Sequence, residues 1–141
     1  MAEKEMSVRR CRWVFVALLA TFAMAAPQIL RAADSPESVD FGRDVLPIFV
    51  KHCHECHGSN KQENGLRLDV RDAMFRGGDS GEPAVVPYDS KQSHLLQRVK
   101  NTDASSAMPP DGKRLSAADV DILRKWIDQG ASWPDALAGQ A

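Results

Sequence analysis

The sequence lacks an apolar run long enough to cross a bilayer: the longest, Trp13 to Ala26, has 14 residues, against the roughly 20 that a membrane helix needs. It also lacks any convincing run of alternating apolar and polar residues, so no strand is predicted. Positive charge is not in excess. After residue 33 there are 13 Lys and Arg against 17 Asp and Glu, a net of -4, which excludes the clustered cationic surface that nucleic acid demands. There is no internal repeat and no low-complexity tract, so the chain carries one site rather than an array. Cysteine is scarce: Cys11 precedes the apolar run, and Cys53 and Cys56 lie close together further on.

What is present begins with an export signal over residues 1–33. Lys4, Arg9, Arg10 and Arg12 form a basic segment before the apolar run, and small residues follow it. Ala23-Met24-Ala25 and Leu30-Arg31-Ala32 are the alternative cleavage sites. Pro27 and Gln28 block extension of the run, so cleavage and a periplasmic location are expected; a membrane anchor results only if the segment stays uncleaved. Cys11 lies before the run, whereas a lipoprotein cysteine would follow it.

Residues 34–40 read as a polar, proline-broken linker, 41–134 as the folded domain and 135–141 as a short tail. From Asp40 to about His52, Phe41, Val45, Ile48 and Phe49 recur at helical spacing, with Pro47 expected to bend the helix or mark its start. A short helix is expected over Asp69 to Arg76, loop over Gly77 to Pro83, and a helix capped by Ser90 or Ser93 through Leu95, Leu96 and Val99. The last helix has the clearest signature, with Ser116 as N-cap, Asp119 three residues on, Val120, Leu123, Trp126 and Ile127 on one face, and Gly130 at its end. The fold class is all-α with long loops. A body of that size buries a thin core, which a large apolar cofactor would complete.

Cys53-His54-Glu55-Cys56-His57 is a C-x-x-C-H motif, the attachment signature of c-type haem. The spacer sets two thiols along one porphyrin edge, and the adjoining imidazole takes the iron. Two rivals use the same residues. A tetrahedral zinc site could draw on Cys53, Cys56, His52, His54, His57 and His94. A thioredoxin-like redox pair would need a βαβ setting that the sequence does not show. For the second axial position the candidates are Met74, His94 and Met108. Met108 sits in a loop stiffened by Pro109 and Pro110, Met74 beside Phe75 reads as core, and His94 reads as a helix surface residue. His52 and His54 are too close to the motif to cross the haem plane. Trp126 is expected inside, against Phe41, Phe49 or the haem edge.

From Phe41 to Pro134 the chain resembles the planctomycete-type cytochrome c domain. The matching segments are Val45-Leu46-Pro47-Ile48-Phe49, Cys53 to Gly58, Gly65-Leu66-Arg67-Leu68-Asp69, Gly77-Gly78-Asp79-Ser80-Gly81, Met108-Pro109-Pro110 and Trp126-Ile127-Asp128-Gln129-Gly130-Ala131. The resemblance implies a small class I cytochrome c-like fold, with N- and C-terminal helices packed around one covalent haem. It implies haem attachment at Cys53 and Cys56, and His57 and Met108 as axial ligands. Tyr88 stands after Pro87 where the family tends to carry glycine. The family's domain usually introduces a much longer protein, whereas this sequence stops soon after its last helix.

With both axial positions filled, the expected role is one-electron transfer between redox proteins of unknown identity, not catalysis. Arg67 or Arg98 is the expected partner of a haem propionate. The rival function is a haem enzyme or gas-ligand sensor whose Met108 bond is labile.

Overall fold

The computed structural model of the protein describes residues 38–110 and 113–138. The expected export signal, residues 34–37 of the linker and the last three residues of the tail lie outside the described residues.

The first helix opens with a π-helical turn, Phe41–Val45, that runs into α1, Leu46–His52. Asp40 fixes its start. Its carboxylate accepts the Arg43 amide at 2.7 Å, and its own amide donates to the Asp44 carboxylate at 2.9 Å, so two amides at the helix start are satisfied reciprocally. Pro47 has no N–H to return to the previous turn. The turn before it is the wider π form, in which the Leu46 amide reaches back to the Phe41 carbonyl. The disturbance expected at Pro47 is therefore a change of helical pitch.

A four-residue α2, His54–His57, follows directly. Then come a 3-10 turn at Glu63–Gly65, α3 at Arg71–Arg76, α4 at His94–Lys100, α5 at Ala117–Asp128 and a last 3-10 turn at Asp135–Leu137. The described residues contain no strand, only an isolated bridge between His57 and Gln62. The helical expectation thus holds for them. α5 starts where the sequence places it, with the Ser116 hydroxyl accepting the Asp119 amide at 3.1 Å. Ser93 occupies the N-cap position of α4, but its hydroxyl accepts the Val86 amide at 2.9 Å and donates to the Asp89 carbonyl at 2.8 Å. It ties down the loop before α4 rather than capping the helix.

The core forms where the first helix meets α5 and the segment after it. Phe41 stacks on Trp133 with ring centroids 4.1 Å apart, Phe49 meets Trp126 edge-on at 5.9 Å, and Phe41 lies 5.7 Å from Trp126. The Trp126 indole donates to the Ser132 carbonyl at 2.9 Å, so its one polar atom is satisfied inside the core. Met74 is fully buried, as its setting beside Phe75 suggests. The fold continues past Pro134: Arg71 donates to the Trp133 carbonyl at 3.2 Å and pairs with Asp135.

Tyr88 adopts φ +66, the left-handed region that L side chains avoid. This accounts for the preference for glycine at that position in the family the chain resembles. The conformation is held by the Tyr88 amide, which donates to the Ile127 carbonyl at 2.8 Å. The ring lies over Gly130, whose φ is +103 and at which a Cβ would stand 2.5 Å from a ring carbon of Tyr88. Gly130→Ala should lower the stability by about 1–3 kcal/mol through backbone strain and the clash together. Tyr88→Gly in the same background should recover only part, because the strain at residue 130 remains. Urea unfolding of the three proteins checks this, and an unchanged midpoint for Gly130→Ala refutes it.

Candidate functional site

The C-x-x-C-H segment lies at the seam between α1 and α2. Cys53 ends α1, with its amide on the Phe49 carbonyl at 2.8 Å, and breaks the helix at φ -124. Its carbonyl then accepts the amides of Cys56 at 3.1 Å and His57 at 2.9 Å. This hooked backbone carries both thiols and the His57 ring on one short stretch. Gly58 follows because nothing larger fits: a Cβ there would lie 2.5 Å from the His54 carbonyl oxygen. The return of the chain is fixed by the Leu68 amide, which donates to the His57 carbonyl at 2.8 Å.

Beside this segment is a cavity of about 910 Å³ lined by Cys53, Cys56, His57 and Met108, at the upper end of the roughly 300–1,000 Å³ usual for small-molecule sites. Leu66, Leu68, Ala84, Leu95 and Val99 supply apolar walls from three separate segments. The structure thus brings together the four residues singled out from the sequence. Met74 is in the core and does not line the cavity. His94, expected on the helix surface, lines the cavity and is half-buried. The lining leucines and valine carry no signal that separates them from core residues; only their position after folding assigns them.

Burial pushes the Cys53 thiol up to about 12, so it is neutral, and neither Cys53 nor Cys56 is in a disulfide. Burial also holds the His57 imidazole below its usual range, against the opposing pull of nearby backbone groups of Glu63 and Leu66. Those groups fall short of hydrogen-bond geometry, since His57 Nδ1 is buried with no partner among the described residues. This imidazole, two thiols and a thioether line the same cavity, and all are ligand types that soft or borderline metals take. His54 points elsewhere: its Nε2 lies 3.2 Å from the Leu68 carbonyl and its ring 6.2 Å from that of Phe49.

Arg67, one of the two arginines expected at a propionate, is engaged by another group. Its guanidinium makes two bonds to Asp69, at 2.7 and 2.5 Å, and the residue does not line the cavity. The partner carboxylate is nearly enclosed, and an enclosed carboxylate needs a cation beside it. Arg98 does line the cavity. Among the described residues no three His, Cys, Asp or Glu side chains converge as a metal site requires, which disfavours the tetrahedral zinc alternative. Among the same residues, no helix is long and apolar enough to cross a membrane.

Residues 53–112 match the planctomycete cytochrome C family. The resemblance seen in the sequence is borne out over that span, which runs from the first thiol past Met108, and the match supports a c-type cytochrome with haem as its cofactor. The chain is also similar to hydrazine synthase subunit alpha of Kuenenia stuttgartiensis, with 29% identity over 129 residues. That alignment takes in 71% of this chain and 16% of the relative, so the chain spans about a sixth of that protein's length. No solved structure matches. The cavity fits a haem in volume, in its apolar walls and in its donors: two free thiols, an imidazole with an unpartnered nitrogen, and a thioether.

The hydrogen bonds from Arg67 hold the Asp69 carboxyl below the usual carboxylate range, outweighing the effect of burial. A depressed carboxylate contributes stability above its unfolded pKa of about 4, and loses it as pH falls through the lower folded value. Arg67→Ala should therefore lower the stability of the protein at neutral pH. Asp69→Asn should flatten the loss of stability below about pH 4. Denaturant titrations at several pH values check both, and an Asp69→Asn profile parallel to wild type would refute the assignment.

Proposed function

We propose that the chain is a c-type cytochrome that holds one haem through thioether bonds to Cys53 and Cys56, with His57 and Met108 as axial ligands, and that it carries single electrons outside the cytoplasm. The observation that carries this reading is the single cavity lined by all four residues. When bound, the haem supplies reversible one-electron exchange at iron, with Met/His ligation favouring a raised potential. The protein's own part is to hold and shield. Cys53 and Cys56 tether the group, and His57 offers a neutral imidazole. Leu66, Leu68, Leu95 and Val99 would shield the group from water, and Met108 would offer its thioether as the second ligand. The aromatic contact between the first helix and α5 supports a class I-like arrangement of terminal helices. Arg98 is the better propionate partner, since Arg67 is engaged by Asp69.

The donor and acceptor in this reading are redox proteins. A net charge of -4 after residue 33 would steer a basic partner face towards this one.

A second reading is a subunit of an enzyme, in which Met108 yields to an incoming ligand; the named relative, itself an enzyme subunit, favours it. Optical spectra of the exported protein in both oxidation states separate the two. The carrier should show covalent haem that survives acid-acetone extraction, a sulfur-to-iron band in the ferric form, and no carbon monoxide binding when reduced. Cys53→Ser with Cys56→Ser should release the haem to extraction. Carbon monoxide binding at full occupancy would move the assignment to the enzyme reading, and a colourless protein would end both.

A further inference from the structure

The sequence contains four histidines, and they are used very differently. His57 belongs to the attachment motif. His54 is engaged by the Leu68 carbonyl. His52 lines the cavity, but from the residue next to Cys53, so it shares the segment that supplies His57. His94 alone reaches the cavity from another part of the chain. It opens α4 and is half-buried, and among the described residues its imidazole makes no hydrogen bond or ion pair.

Its place on α4 relates it to Met108. Arg98, four residues on, lines the same cavity, so the stripe through residues 94 and 98 faces it. The Met108 amide donates to the Arg98 carbonyl at 3.0 Å, which ties the Met108 loop to α4 one turn along from His94. That loop is cross-tied: the Arg98 guanidinium donates to the Ser106 carbonyl at 3.1 Å, and the Asn101 amide group donates to the Ser106 hydroxyl at 2.9 Å. The Met108 thioether is thus presented by a braced loop, while an uncommitted imidazole stands close to its anchor point.

We infer that His94 is a reserve axial ligand, which takes the distal position on the haem iron when Met108 is displaced. The inference rests on the haem reading above. In the exchange one iron–sulfur bond breaks and one iron–nitrogen bond forms, with no net electron transfer. The site gains a second ligation state of lower potential, because the potential-raising thioether is lost. The bracing through Arg98 and Asn101 keeps Met108 in first place.

The test uses the haem-loaded protein, starting with wild type. A sulfur-to-iron band there establishes Met108 ligation before any variant is made. A wild-type spectrum without that band fails the ligation reading and this inference together. In Met108→Ala the band should vanish while the ferric iron stays low-spin, carbon monoxide binding to the reduced form stays blocked, and the midpoint potential falls. In Met108→Ala with His94→Ala, the ferric iron should become high-spin and carbon monoxide should bind. Added imidazole should then restore a low-spin spectrum, which reports that the pocket is still folded. High-spin iron in Met108→Ala alone overturns the inference while leaving the Met108 reading intact. Low-spin iron in the double variant without added imidazole also overturns it, since some other side chain would then be the substitute.

Discussion

The stacking of Phe41 on Trp133, reinforced by Phe49 and Trp126, is the contact on which the rest of the structure depends. Aromatic pairs of this kind contribute about 0.5–1.5 kcal/mol beyond the area they bury. Their larger effect is positional. α1 ends at Cys53, so whatever fixes α1 against α5 also fixes where the thiols and the His57 ring stand relative to the loops that bring Leu66, Leu95 and Met108. The cluster joins the first helix to α5 and the segment after it, and α1 carries that alignment on to Cys53.

Much of the fold was legible because the signals were local. The Ser116 cap and the apolar stripe through Leu123, Trp126 and Ile127 depend only on helical periodicity, and α5 follows from them. The C-x-x-C-H motif is equally local, since its chemistry is set by spacing. Other features depend on what distant segments do. Arg67 and Asp69 are two residues apart and look like two solvated charges; only the return of the chain to His57 encloses the carboxylate and makes the arginine its necessary partner. His94 looked like a surface residue because the rotation of α4 is set by its packing, not by its own seven residues. Ser93 had the right identity for a cap, yet two backbone groups of the preceding loop hold its hydroxyl.

Tyr88 shows how such a position is tolerated when glycine is absent. The strain of a left-handed tyrosine is offset by an amide bond to Ile127 and by a neighbour, Gly130, that leaves room for the ring. The two residues form one unit, and neither conformation can be understood from its own side chain. A loop of this kind can keep its path through a change of residue type, which is why the cavity walls supplied by Ala84 and Leu95 on its flanks remain in place.

The two thiols differ in exposure: Cys53 is 8% exposed, while Cys56 is only half-buried. Both nevertheless line the same cavity, so they face one guest with unequal access. On the reading proposed above, a group joined to both would have one anchor sealed against the core and one that solvent still reaches, and the bond at Cys56 would be the one that a partner protein can approach.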